Sequence, residues 1–164
     1  MATILVAYAS KGGATAEIAE WIGEGLRRAG AATEVRRADD VASLEGFDAV
    51  VVGGPLYMGK VLRPVPAFFS RHRAELASRP VALFVSGGSL GKNDPEAEQK
   101  ARAAAEAVSG DVPIAALGLF GGRVSSRNVP LIGRFLRNAM PEEDTRNRTA
   151  IEGWADALPT RLGL

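Results

Sequence analysis

Five strand-like segments alternate with helix-like segments along the chain, and this alternation is the feature that most constrains the fold. Three of the strand-like segments are nearly unbroken apolar runs, which is typical of strands covered on both faces. A repeated strand–helix order predicts a parallel sheet with right-handed crossovers and helices on both faces. The five segments are 3-TILVAY-8, 33-TEVRR-37, 48-DAVVVGG-54, 80-PVALFVS-86 and 112-VPIAALGLF-120.

The segments between these strands space their apolar residues as amphipathic helices do. Asp94 and Pro95 suit the N-cap and the first position of the third helix, and Asp144 or Thr145 suits the N-cap of the last. The apolar faces comprise Ile18, Ile22 and Leu26; Val65, Phe68, Phe69 and Leu76; Ala97, Ala101, Ala105 and Val108; and Ile151, Trp154, Ala155 and Leu158.

Length and composition predict one globular domain over residues 1–164, with an excursion at about 121–144 between the fifth strand and the last helix. Twenty basic residues against nineteen acidic ones give no field that would indicate a nucleic-acid partner. The absence of cysteine excludes disulfides and thiolate sites, and a single histidine, His72, offers no metal-ligand cluster, so no metal is predicted and His72 is interpreted as structural. No apolar run is long enough for a membrane span and no leader is apparent, which favours a cytoplasmic location.

Three unusual loops leave the carboxyl ends of the strands, where open parallel sheets bind their ligands. They are 10-SKGGAT-15, 53-GGPLYMGKVLRP-64 and 86-SGGSLGKND-94. The glycines of the first loop can turn backbone N–H groups toward an anion at the start of a helix, while Ser10 and Thr15 add hydroxyl donors, so this loop is predicted to be a phosphate cradle. The alternative is an ordinary turn in which these hydroxyls only cap the helix.

Two familiar phosphate motifs are excluded. The first loop has no lysine after its second glycine, as a nucleotide triphosphate loop requires, and lacks the three-glycine dinucleotide spacing. In the third loop, Gly87 to Gly91-Lys92 is one residue too short and is followed by Asn93 instead of a magnesium-binding hydroxyl.

The run 6-VAYASKGGATAEIAEWI-22 resembles the FMN-binding signature of the flavodoxin family. Only Ala7 departs from the pattern, in which a larger residue is usual. The resemblance implies a flavodoxin-like α/β three-layer sandwich with a five-stranded parallel sheet in the order 2-1-3-4-5, and FMN as cofactor. The matching positions are Tyr8, Ser10, Gly13, Thr15, Ala19 and Ile22.

The same resemblance assigns the three loops to parts of FMN. Lys11 could assist the phosphate, although such sites usually neutralise it without a side-chain cation, and Lys11 could equally be a solvated residue. Tyr57 or Met58 is expected against the isoalloxazine ring, with the peptide at Gly59 rearranging near N5. The predicted binding residues are Ser10, Lys11, Gly12, Gly13, Ala14 and Thr15 for the phosphate; Pro55, Leu56, Tyr57, Met58 and Gly59 along the ring; and Ser86, Gly87, Gly88 and Ser89 on the pyrimidine side.

The third loop carries Ser89 and Leu90 where carrier flavodoxins commonly have an aromatic residue, which would leave one ring face open to a substrate. The excursion 121-GGRVSSRNVPLIGRFLRNAMPEEDTR-146 places arginines beside an apolar stretch and is similar to that of the menaquinone-dependent protoporphyrinogen dehydrogenases. Arg123, Arg127 and Arg134 are therefore predicted to bind substrate propionates. The alternative is that they form a solvated face.

The predicted function is an FMN-dependent oxidoreductase of the protoporphyrinogen dehydrogenase type with a quinone as acceptor, in which the flavin and no catalytic side chain performs the chemistry. The main alternative is an electron-transfer flavodoxin that serves a redox-protein partner, although such carriers tend to be strongly acidic. A third is an interaction module without flavin. Peripheral membrane contact and homo-oligomer formation remain open.

Overall fold

The structure of the protein is a computed structural model that describes residues 1–124 and 143–164. Of the excursion predicted at about 121–144, residues 125–142 lie outside the described residues. None of the described helices is long and apolar enough to cross a membrane.

Six strands form the main sheet. They are β1 (Thr3–Tyr8), β2 (Ala32–Arg37), β3 (Ala49–Tyr57), β4 (Lys60–Val61), β5 (Val81–Ser86) and β6 (Ala116–Phe120). Five of them are parallel in the order β2-β1-β3-β5-β6. Because β5 and β6 are the fourth and fifth predicted strands, this confirms the predicted order 2-1-3-4-5. The sixth, β4, was not predicted and pairs antiparallel with the end of β3.

Helices cover both faces of this sheet, as the unbroken apolar strands predict. The helices are α1 (Ala14–Arg28), α2 (Pro64–Arg71), the single turn α3 (Arg73–Leu76), α4 (Pro95–Ser109) and α5 (Arg148–Arg161). Successive residues of a strand face opposite sides, so Ile4 and Val6 pack with α1 and α5, whereas Leu5 and Ala7 pack with α2 and α4.

The segment predicted as the second loop is mostly strand and hairpin. β3 continues to Tyr57, and Met58 and Gly59 form the turn into β4, both with positive φ angles of 52° and 79°. A Cβ atom on Gly53 would lie 2.3 Å from the carbonyl oxygen of Phe84. Gly53 therefore lies within the strand, as the segment 48–54 predicts, where it permits close packing against β5, and it does not belong to the second loop.

Two other boundaries differ from the prediction. β6 begins at Ala116 and not near residue 112, in keeping with Pro113, which has no backbone N–H to donate to a ladder. The N-cap of α5 is Asn147, whose side chain accepts from the N–H of Ala150 at 3.0 Å, so the assignment of that cap to Asp144 or Thr145 is wrong. At α4, the predicted Asp94 cap and Pro95 start are confirmed.

A two-stranded antiparallel ribbon flanks the undescribed stretch. Its strands are β7 (Arg123–Val124) and β8 (Glu143–Asp144), with Arg123 opposite Asp144. The ribbon holds the two ends of the stretch together beside the carboxyl end of β6.

Candidate functional site

The carboxyl ends of β1, β3 and β5 meet at a cleft of about 190 Å³. Typical small-molecule pockets have volumes of roughly 300–1,000 Å³, so the described residues bound only part of the volume that a cofactor needs. Eleven of the fifteen predicted cofactor residues line it: Ser10, Lys11, Gly12, Ala14, Thr15, Pro55, Leu56, Tyr57, Ser86, Gly87 and Gly88. Gly13, Met58, Gly59 and Ser89 are not among its lining residues, whereas Gly122 and Arg123 are.

The first loop presents the N-terminus of α1 to the cleft. Gly13 is the N-cap, with a φ of 88° that favours glycine, and its N–H donates to the hydroxyl of Ser10 at 3.1 Å. No side chain caps α1, whereas Asp94 and Asn147 cap α4 and α5. The N–H groups of a first helical turn have no intrahelical partners, so those of α1 are available to an anion in the cleft.

The hairpin between β3 and β4 forms the second wall. Tyr57 lines the cleft, and the ammonium group of Lys11 lies 4.3 Å from the centroid of its ring. Met58 is 93% exposed at the tip of the hairpin, and Gly59 lies beside it outside the cleft. Between the two predicted ring contacts, the geometry favours Tyr57.

The third loop closes the cleft on the β5 side. Gly87 donates its N–H to the carbonyl of Phe120 at 3.0 Å, and a short 3₁₀ turn follows from Gly88 to Lys92. Ser89 is exposed outside the cleft, while Leu90 is buried beneath the loop. Backbone groups and Ser86, with no aromatic ring, therefore form this wall.

Thr145 ties the third loop to the end of β6 and was not predicted to take part in the site. Its hydroxyl lies 2.9 Å from the carbonyl oxygen of Gly88 and 3.1 Å from that of Gly122, and it accepts from the N–H of Gly122 at 3.2 Å. Gly122 itself lines the cleft, and a Cβ there would lie 3.1 Å from the backbone of Gly87. The glycine pair directly after the fifth strand was the only local signal for this contact.

Arg146, also unpredicted, is held rigidly beside the first loop. Its side chain is 7% exposed, pairs with Asp144 at 2.9 Å and Glu17 at 3.3 Å, and donates to the carbonyl of Ala14 at 3.2 Å. Its guanidinium lies 4.8 Å from the ring centroid of Trp21. Hydrogen bonds from Arg146 hold the pKa of Asp144 below its ordinary value.

Arg123 is the one predicted substrate-binding arginine within the described residues. It lines the cleft and reaches the carbonyl of Gly12 at 3.2 Å and the carboxylate of Glu17 at 3.4 Å. Arg127 and Arg134 lie outside the described residues, so the predicted arginine cluster stays a prediction.

The family model of the flavodoxin domain matches residues 5–149. The chain belongs to the flavodoxin family. This membership confirms the broader resemblance, and because flavodoxins bind FMN, it also confirms the predicted cofactor. The uncapped N-terminus of α1, the cleft-lining hydroxyls and Tyr57 fit the phosphate and ring of that cofactor.

Solved structures show the same flavodoxin fold. A flavodoxin from the domain Archaea matches with a TM-score of 0.58 at 19% identity, covering 99% of each chain. The Streptococcus pneumoniae TIGR4 flavodoxin matches with a TM-score of 0.61 at 16% identity, covering 98% of this chain and 99% of the other. The rubredoxin oxygen:oxidoreductase of Desulfovibrio gigas matches with a TM-score of 0.52 at 16% identity, and this chain covers 37% of it. No curated protein matches the sequence.

Proposed function

We propose that this flavodoxin holds FMN in the cleft and transfers electrons to and from a redox-protein partner. The observation that carries the proposal is the uncapped N-terminus of α1, which opens into a cleft at the carboxyl ends of the central strands. Bound FMN supplies the redox chemistry, and the protein supplies binding, orientation and the electrostatic environment.

The residues of the cleft divide this work between them. Backbone N–H groups of the first turn of α1, with the hydroxyls of Ser10 and Thr15, are placed to hold the phosphate. Tyr57 is placed to cover the ring on the hairpin side and to exclude water from it. Gly87 and Gly88 line the opposite wall, where the absence of side chains lets a ring approach the backbone closely.

The small volume that the described residues bound is compatible with a carrier function. A carrier needs one edge of its cofactor accessible to another protein, because electron transfer requires close approach and no covalent step. The exposed side chain of Met58 at the hairpin tip adds an apolar contact next to that edge.

The second candidate function is oxidation of protoporphyrinogen with a quinone as acceptor. It is favoured by the wall that the third loop forms, because that wall has no aromatic residue. Among the described residues that line the cleft, Tyr57 is the only aromatic one, which leaves room for a flat substrate. It is not favoured by the position of Arg123, whose guanidinium lies beside Gly12 and Glu17, at the predicted phosphate end of the cleft.

A comparison of electron acceptors and donors tests the two functions. In the first assay, FMN-loaded protein is reduced by a flavodoxin reductase and mixed with an oxidised redox protein. In the second, oxidised FMN-loaded protein is incubated with protoporphyrinogen and menaquinone. Rapid exchange with the redox protein, together with no porphyrin formation above a free-FMN control, is the result expected for the carrier. Turnover of protoporphyrinogen that requires the quinone would establish the second candidate instead.

A further inference from the structure

Arg123 is the one guanidinium among the described residues that line the cleft. It follows directly after Gly122, in β7, and its side chain extends across the first loop. A Cβ atom on Gly13 would lie 3.9 Å from its Nη2 atom, so the guanidinium lies next to the N-cap of α1. A positive charge therefore stands where the helix already presents its unpaired N–H groups.

The present partners of Arg123 hold it weakly. Charge-assisted hydrogen bonds between guanidinium and carboxylate measure about 2.7–2.9 Å, whereas Arg123 lies 3.4 Å from Glu17. Its other bond, to the carbonyl of Gly12 at 3.2 Å, is at the long end of the ordinary range. Its side chain is 33% exposed. Glu17 is also shared with Arg146, so it is not committed to Arg123.

Arg146 provides the contrast within the same cluster. It is 7% exposed and its guanidinium is fixed by Asp144 through two nitrogen atoms, at 3.0 and 2.9 Å. Arg146 is therefore committed to the architecture of the first loop, and Arg123 retains donors for a ligand. A guanidinium presents five N–H groups in a planar fork that matches phosphate oxygens.

We propose that Arg123 binds the phosphate group of FMN and exchanges its contact with Glu17 for the phosphate oxygens. The inference rests on the proposed binding of FMN in this cleft. It assigns to Arg123 a cofactor role in place of the predicted contact with substrate propionates. It also makes this site differ from the usual flavodoxin arrangement, in which no side-chain cation neutralises the phosphate.

The test compares FMN with riboflavin, which has the same ring and ribityl chain but no phosphate. Dissociation constants of both flavins are measured by fluorescence quenching for the wild type and for Arg123→Gln. The expected result is an FMN dissociation constant roughly ten- to a hundredfold higher in the variant, with riboflavin binding unchanged. The salt dependence of FMN binding should decrease as well.

Arg148→Gln is the matched control, because it removes the same charge from a nearby arginine outside the cleft. Arg148 pairs with Glu24 at 2.7 Å and Glu152 at 2.9 Å, and its replacement should change neither dissociation constant by more than about twofold. If Arg123→Gln does not fold, Arg123→Lys retains a charge without the fork and should weaken FMN binding alone.

The outcomes separate the two proposals. A wild-type protein that takes up no FMN overturns both. A wild type that binds FMN, with Arg123 variants that bind it equally well, overturns only the role of Arg123. Equal losses of FMN and riboflavin also overturn it, because Arg123 would then act on the shape of the loop and not on the phosphate.

Discussion

The hydroxyl of Thr15, at the start of α1, lies 3.0 Å from the hydroxyl of Ser86, at the end of β5, and both side chains are buried. The two residues are far apart in the sequence, and their hydrogen bond joins the first and third walls of the cleft. This hydrogen bond therefore links the phosphate end of the site directly to its opposite wall, in addition to the sheet that carries both.

Removal of either hydroxyl should destabilise the protein, because its partner is then left buried without a hydrogen bond. Thr15→Val and Ser86→Ala should each lower the free energy of unfolding by about 1–3 kcal/mol. The double variant should lose less than the sum of the two, with a coupling of about 1 kcal/mol. Urea denaturation of the four proteins measures this cycle, and strictly additive losses would contradict the pairing.

Replacement of Tyr57 should affect the flavin more than replacement of Met58 does. Tyr57 lines the cleft and Met58 is exposed outside it. Tyr57→Ala should shift the absorption spectrum and midpoint potential of bound FMN and weaken binding about two- to tenfold, since aromatic contacts contribute roughly 0.5–1.5 kcal/mol. Met58→Ala is the control and should leave the spectrum unchanged. A spectral change in the Met58 variant alone would reverse the assignment.

Two helical glycines should respond to alanine in opposite directions. A Cβ atom on Gly25 in α1 would lie 2.7 Å from the Cβ of Ala155 in α5, whereas one on Gly153 meets nothing within 4 Å. Gly25→Ala should therefore lower the free energy of unfolding by about 1–3 kcal/mol through overpacking. Gly153→Ala should raise it by about 0.5–1 kcal/mol through helix propensity.

Thermal denaturation distinguishes these variants, since 1 kcal/mol corresponds to roughly 2–4 °C in Tm for a chain of this size. Equal Tm changes of the same sign would show that α1 and α5 do not pack as closely as described.

Glu75 should make stability depend on pH in the acid range. Its carboxylate accepts from the N–H of Leu44 at 2.9 Å and lies 3.2 Å from Nδ1 of His72, and these hydrogen bonds lower its pKa below the ordinary value of 4.5. A carboxyl group with a lowered folded-state pKa stabilises the protein above its unfolded-state pKa. That contribution is lost as the pH falls through the folded-state pKa.

Glu75→Gln should therefore remove part of the decrease in urea midpoint below about pH 4.5. An unchanged profile in Glu75→Gln would show that the carboxylate is not held by Leu44 in solution.

The positions of the strands and of the first loop could be predicted from local signals, whereas the order of the strands in the sheet followed from the resemblance to flavodoxins. Unbroken apolar strands report burial on both faces, and 10-SKGGAT-15 carries its donors within six residues. Gly53 shows the limit: glycine suits both a turn and a close contact, and only the neighbouring Phe84 decides which. The extension of β3 along β5, as far as Pro55 opposite Ser86, likewise depends on a neighbouring strand and could not be predicted from local residues.

The N-cap of α5 shows why competing candidates could not be ranked from the sequence. Asp144, Thr145 and Asn147 are all good N-cap residues. Asp144 pairs with Arg146 and Thr145 bonds to Gly88 and Gly122, so Asn147 remains for the helix. The bonds of Thr145 are long-range, and the local pair between Asp144 and Arg146 leaves no periodic pattern that would reveal it. The contributions of Gly122 and Arg146 to the site were missed for the same reason.

Thr145 also bears on when a newly made chain can retain its cofactor. All three loops of the cleft precede it in the sequence, yet its hydroxyl and backbone fasten the third loop to Gly122. During synthesis on the ribosome, all five parallel strands and the three loops are complete before this fastening residue is made. We therefore expect stable cofactor capture only after Thr145 has been made and has joined the third loop to Gly122, since a shorter nascent chain lacks the bonds that fix one wall of the cleft.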